Sequence, residues 1–148
     1  MSKHDTSAMA SSSKKLWLCY IPALAWAILI YILLTLPEKD FEDSELNQIP
    51  HFDKVVHMGL FGAQVFWLTL PLAKRYKPNA AILRWITLAV ILFGILMEYV
   101  QKYFTVDRSF DWTDMVADSV GAVLSYFCMH YIFSQYQKKH PINSTPLG

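Results

Sequence analysis

Residues 98–118 carry Glu98, Gln101, Asp107, Arg108, Asp111, Asp114 and Asp118, with long apolar runs on either side. A second polar group, Asp53, Lys54 and His57, opens another apolar stretch, and Gln64 stands deeper within it. Carboxylates and an imidazole are general acids and bases, and an arginine can hold a phosphate or carboxylate through two parallel hydrogen bonds. Ionised side chains at the edge of hydrocarbon are expensive, so a chain that keeps several there has a use for them. His57, Asp53, Glu98, Asp114 and Asp118 form the candidate acid/base set. Arg108, Gln101, Asp111, Lys54 and Gln64 form the candidate ligand-binding set.

Each has a plainer reading beside the chemical one. His57, with Asp53 one turn before it, offers a base and an orienting carboxylate, or else a hydrogen-bonded histidine between two helices. Arg108 contacts an anionic ligand, or pairs with Asp111, Asp114 or Glu98 and anchors the loop. Glu98, Asp111, Asp114 and Asp118, with Gln101, are hard oxygen ligands of the type magnesium or calcium prefers. A divalent cation is therefore a further expectation, with Glu98, Asp114 and Asp118 as its candidate ligands. No nucleophile motif stands out, so acid/base catalysis and binding without chemistry both stay open. Cys19 and Cys128 lie inside apolar runs, which suits small membrane-helix residues rather than a disulfide framework, and no Cys/His zinc spacing occurs.

The elements that must position these groups are apolar helices. The hydrophobic share of 54% exceeds the roughly 45–50% of soluble proteins, and a net charge of +1 gives no basic field for nucleic acid. Residues 16–36 contain no charge, and a helix of that length rises about 31 Å, close to the hydrocarbon thickness. The run is too long for a signal peptide, and Pro22 falls in its second turn. Three further spans are expected at about 53–72, 80–101 and 111–134, with Arg84 able to snorkel to the headgroups. The expected fold is all-α: four transmembrane helices in an antiparallel bundle, a disordered cytoplasmic segment over 1–15 and a cytoplasmic tail over 137–148.

Periodicity then places the polar groups. Asp53, His57 and Gln64 share one face of the second helix, which runs from the water surface toward the midplane. On the fourth, Asp111, Asp114, Asp118, Gly121 and Ser125 form one stripe, in which Ala117, Gly121 and Ser125 recur every fourth residue and let two membrane helices approach closely. Ser109 or Asp111 can cap this helix, a role that accounts for Asp111 and Asp114 but not for Asp118, two turns in. Nine of the 13 Lys and Arg residues fall at the N-terminus, in the 74–84 region and in the C-terminal tail, which the positive-inside rule assigns to the cytoplasm. Asp53 and His57, Glu98 and Gln101, and Asp114 and Asp118 then reach one layer at the outer face, from three helices. An outward-facing polar pocket is expected there, with the first helix as a packing partner. A through-going proton or solute path is the weaker expectation, because Thr69, Thr87 and His130 are its only polar candidates on the cytoplasmic side.

The series Asp53-Lys54-x-x-His57, Glu98-x-x-Gln101, then Arg108-x-x-Asp111-x-x-Asp114-x-x-x-Asp118-x-x-Gly121 resembles the VanZ-like family of small bacterial membrane proteins, over residues 50–125. That family is named after a teicoplanin-resistance accessory protein, and its pattern usually has Asn where this chain has Asp118. The resemblance implies a multi-pass protein of the bacterial inner membrane, related to one that lowers glycopeptide susceptibility. A lipid-linked or amphiphilic ligand at the outer face is the partner expected beside the lipid bilayer.

Overall fold

Proline placement and polar caps set the helix ends. The computed structural model describes residues 17–36, 51–75, 79–105 and 110–139, and among these all regular structure is helical. Helix α1 is Ile21–Thr35, α2 is Phe52–Arg75, α3 is Ala80–Phe104 and α4 is Trp112–Lys139. The expectations for residues 1–15, for Arg108, for Ser109 as a cap and for the tail beyond 139 lie outside the described residues. Helix α4 continues to Lys139, past the residue 134 expected for the end of the fourth span.

Helix α1 is shorter than the apolar run that contains it. Pro22 sits in its first turn rather than its second, where the missing N–H would have had no helical partner anyway. Fifteen residues rise about 22 Å, short of the hydrocarbon core. Helices α2, α3 and α4 are long and apolar enough to cross a membrane. Asn79 caps α3 by accepting the Ala81 N–H at 2.7 Å. Asp111 caps α4, with Oδ1 accepting from the Thr113 N–H at 2.8 Å and from its hydroxyl at 2.6 Å.

The core lies where α1, α2, α3 and α4 meet, at Ile30, Leu34, Phe61, Val65, Val90 and Ala122 among others. Leu92, Leu96, Phe127 and Tyr131 face outward and exposed, an apolar surface that suits lipid contact. Helices α2 and α4 share the most extensive interface. There Gly121 lies directly on the α2 backbone: a Cβ at this position would overlap the Met58 carbonyl oxygen and stand 2.7 Å from Met58 Cα. A Cβ on Gly62 would stand 3.1 Å from the Gly121 carbonyl oxygen, tight but not overlapping, so the contact depends on glycine chiefly at position 121.

Three side chains tie α1 down. Trp26 Nε1–H donates to the Leu60 carbonyl at 2.9 Å, Gln64 Nε2 to Ala23 at 3.2 Å and Gln101 Nε2 to Leu34 at 3.0 Å. Leu34 is in the last turn of α1, where carbonyls lack a helical donor, so Gln101 supplies what the helix end needs. The two glutamines, expected beside a ligand, are buried against α1 instead. Thr69 and Thr87 return their hydroxyls to Val65 and Leu83 of their own helices, at 2.8 and 2.9 Å. Gln101→Leu is expected to cost about 1 kcal/mol, the scale of interhelical hydrogen bonds in membrane bundles. Thermal unfolding in detergent measures this, and an unchanged midpoint would show that the amide holds nothing.

Candidate functional site

Lys54, in the first turn of α2, gathers three carboxylates. Its Nζ lies 2.9 Å from Asp53 Oδ2, 3.0 Å from Asp111 Oδ2 and 2.6 Å from Asp114 Oδ1. One ammonium thus joins the start of α2 to the start of α4. Asp111 sits just before α4, where the Thr113 hydroxyl and N–H, then Lys54, hold its carboxyl down to about 2.

One turn further in, His57 is 4% exposed and Asp118 1% exposed. His57 Nδ1 is 2.9 Å from Asp118 Oδ1, and Nε2 is 3.9 Å from Asp114 Oδ2. The carboxylate that orients the imidazole is therefore Asp118 of α4, not Asp53, whose own oxygen is on Lys54 and whose side chain is 59% exposed. Asp118 finds room because α3 has Gly94 opposite: a Cβ there would stand 2.9 Å from Asp118 Oδ2. An ionised Asp118 only accepts hydrogen bonds, so Nδ1 carries the hydrogen, and in the neutral ring Nε2 then holds the lone pair.

Glu98 completes the group from α3 and is 1% exposed. Its Oε2 accepts the Asp111 N–H at 3.3 Å, while Oε1, like Asp118 Oδ2, is buried with no hydrogen-bond partner. A nitrogen of His57 and one oxygen each from Glu98 and Asp114 lie within 4.8 Å of one another. Three helices thus bring His57, Glu98, Asp114 and Asp118 together, with Lys54, Asp53 and Asp111 above them. Gln64 and Gln101 stand apart, at α1. An open apolar groove of about 530 Å³ runs along the face of α4 that points away from Asp114 and Asp118, lined by Ile95 of α3 and by Trp112, Met115, Val116 and Ser119 of α4.

Two features escaped sequence reasoning. Lys54 joins three carboxylates that are 1, 57 and 60 residues away, and only the first of these distances is local. Gly94 makes space for Asp118; its one signal is that it lies one turn before Glu98 on the same face.

The described arrangement has the parts for acid/base chemistry at His57 and for coordination of a cation. The model of a protein family described as VanZ/LLP1 matches residues 12–134 of the chain. No curated protein and no solved structure matches it.

Proposed function

The chain belongs to the VanZ/LLP1 family, and on that premise we propose that it is a multi-pass protein of the bacterial inner membrane whose polar cluster opens outward and engages an amphiphilic ligand. The ligand class is a cell-envelope lipid or an amphiphilic antibiotic, and the outcome for the cell is glycopeptide tolerance. Helix α1, continued by the apolar residues that precede it, is the fourth span of an antiparallel bundle with both termini cytoplasmic. The excess of Lys and Arg at the termini and in the 74–84 region supports that orientation.

The observation that carries this reading is the buried His57–Asp118 pair, with Glu98 beside it. Burying these groups among apolar helices is costly unless they serve a site. The groove on the outer face of α4 supports an amphiphile in particular: it is apolar apart from Ser119, and Trp112 and Met115 set its end at the depth of Asp114. An acyl chain fits such a wall.

Cells expressing His57→Ala or Glu98→Ala, at membrane abundance equal to wild type, are expected to lose glycopeptide tolerance. Full tolerance in both variants would end this reading. Binding without bond breaking is the second reading, favoured by Lys54, whose three carboxylates form a structural network rather than a reacting one. A labelled lipid bound by the purified chain and recovered chemically unchanged would select it.

A further inference from the structure

We propose that the cluster is a site for one zinc-class divalent cation, bound by His57 Nε2, Glu98 and Asp114, with Asp118 fixing the imidazole from its other ring nitrogen. This deepens the reading above by naming the cofactor of the same cluster. The three residues come from α2, α3 and α4, so a single ion would clamp the three helices that are long and apolar enough to cross a membrane.

Geometry is the first support. The three candidate ligand atoms lie within 4.8 Å of one another, and His57 Nε2 is 3.9 Å from Asp114 Oδ2. Tetrahedral zinc with bonds of about 2.0–2.1 Å sets its ligand atoms roughly 3.4 Å apart, so small side-chain rotations close the set. The second support is the tether on the imidazole. A metal-bound histidine almost always donates its other N–H to a carboxylate or carbonyl, which fixes the tautomer and the ring. Asp118 is in that position at 2.9 Å and is itself buried.

The third support is independent of the spacing. Glu98 is 1% exposed, yet its Oε1 has no hydrogen-bond partner. A buried carboxylate oxygen without a partner carries a large desolvation penalty that a cation would offset. Among the described residues, Asp53, Glu98, Asp111, Asp114 and Asp118 face one ammonium and one imidazole. Lys54 directs its contacts to Asp53, Asp111 and Asp114, which leaves Asp118 with the His57 ring and Glu98 with the Asp111 N–H as partners. Among the described residues the cluster therefore carries more carboxylates than cations, a balance that favours a bound cation.

The donor set selects the metal. Oxygen ligands alone suit magnesium or calcium, whereas an imidazole shifts preference toward zinc and its neighbours. Asp118, a metal candidate on sequence grounds, serves the imidazole instead, and His57 takes its place in the set. Three protein ligands leave a fourth position open, as in catalytic rather than structural zinc sites. An anionic head group or a water would occupy it.

The test uses the full chain, purified in detergent with a tag that contains no histidine. After dialysis against zinc and removal of excess, metal analysis is expected to find one zinc per chain. Calorimetric titration of the stripped protein should give the same stoichiometry, with magnesium and calcium failing to compete. Glu98→Gln and His57→Ala should lose the zinc, and Asp118→Asn should bind it about 10- to 100-fold more weakly. Lys139→Gln, exposed in the last turn of α4 at the opposite end from the cluster, should match wild type. Because a ligand variant can fail by misfolding, cobalt(II) is added to the wild-type chain as a spectroscopic check. Tetrahedral visible bands that zinc abolishes support the site. Wild-type protein without zinc, an unchanged affinity in Glu98→Gln, or displacement of zinc by magnesium would each overturn it. Zinc lost from Glu98→Gln while tolerance persists would support the metal site and refute the functional reading, so the two fail separately.

Discussion

Gly121→Val is expected to leave almost no folded protein in the membrane, whereas Gly59→Ala should fold at least as well as wild type. The two glycines sit on neighbouring helices but meet opposite surroundings. A Cβ at Gly121 would overlap the Met58 carbonyl oxygen and stand 2.7 and 2.8 Å from Met58 Cα and C, all of them backbone atoms. No rotamer change relieves such a clash, so α2 and α4 must separate. Overpacking in a well-packed interior costs about 1–3 kcal/mol when side chains can give way. Here the widest helix–helix interface must open, and more than about 3 kcal/mol is expected, a large part of the stability of an ordinary domain. A Cβ at Gly59 meets nothing within 4 Å. Glycine in a helix interior is about 0.5–1 kcal/mol worse than alanine, so that replacement should be neutral or better. Thermal unfolding and size-exclusion profiles in detergent would decide. A monodisperse Gly121→Val with a wild-type midpoint would show that the two helices do not meet at this contact.

Gly121 also shows what can be read without coordinates. Its spacing with Ala117 and Ser125 marks a close-approach face, because small residues four apart on a helix can mean little else in an apolar run. The same period, with the charge asymmetry, gathers His57, Glu98, Asp114 and Asp118 into one layer. Periodicity gives a face, however, and not the neighbour that meets it. Asp53 is one turn from His57 and seemed its natural partner, yet Asp118 holds the ring, because Gly94 leaves room on α3 and Lys54 draws Asp53 away. Gln64 and Gln101 share their polar faces with the cluster in sequence, but their amides reach the backbone of α1. A helix with no charge gives no sign of which carbonyls it will offer. Pro22 illustrates a different loss: hydropathy counts it inside an unbroken run, while its ring sets the start of the helix.

Lys54→Met is expected to destabilise the chain by about 2–3 kcal/mol, with most of the loss traceable to one contact. Removing one partner of a fully buried pair costs about 3–5 kcal/mol, whereas exposed pairs contribute about 0–1. Lys54 and Asp114 are 22% and 15% exposed at 2.6 Å, so their contact lies toward the buried limit. Asp53 and Asp111, at 59% and 40%, are screened by water and add little. A double-mutant cycle with Asp114→Asn should return a coupling of about 1–2 kcal/mol, within the range for residues in contact. Strict additivity would show that the ammonium is only a solvated surface charge. The cycle also bears on the cation. Lys54 holds Asp114 Oδ1 while Oδ2 faces His57, and its positive charge opposes a second cation on the same carboxylate, so Lys54→Met should fold less stably without zinc yet take zinc up more tightly. A ligand that binds the folded state stabilises it in proportion to the logarithm of its concentration over Kd, so added zinc should narrow the gap to wild type. A lysine that served only to pin α2 to α4 would lower stability and leave the zinc affinity where it was.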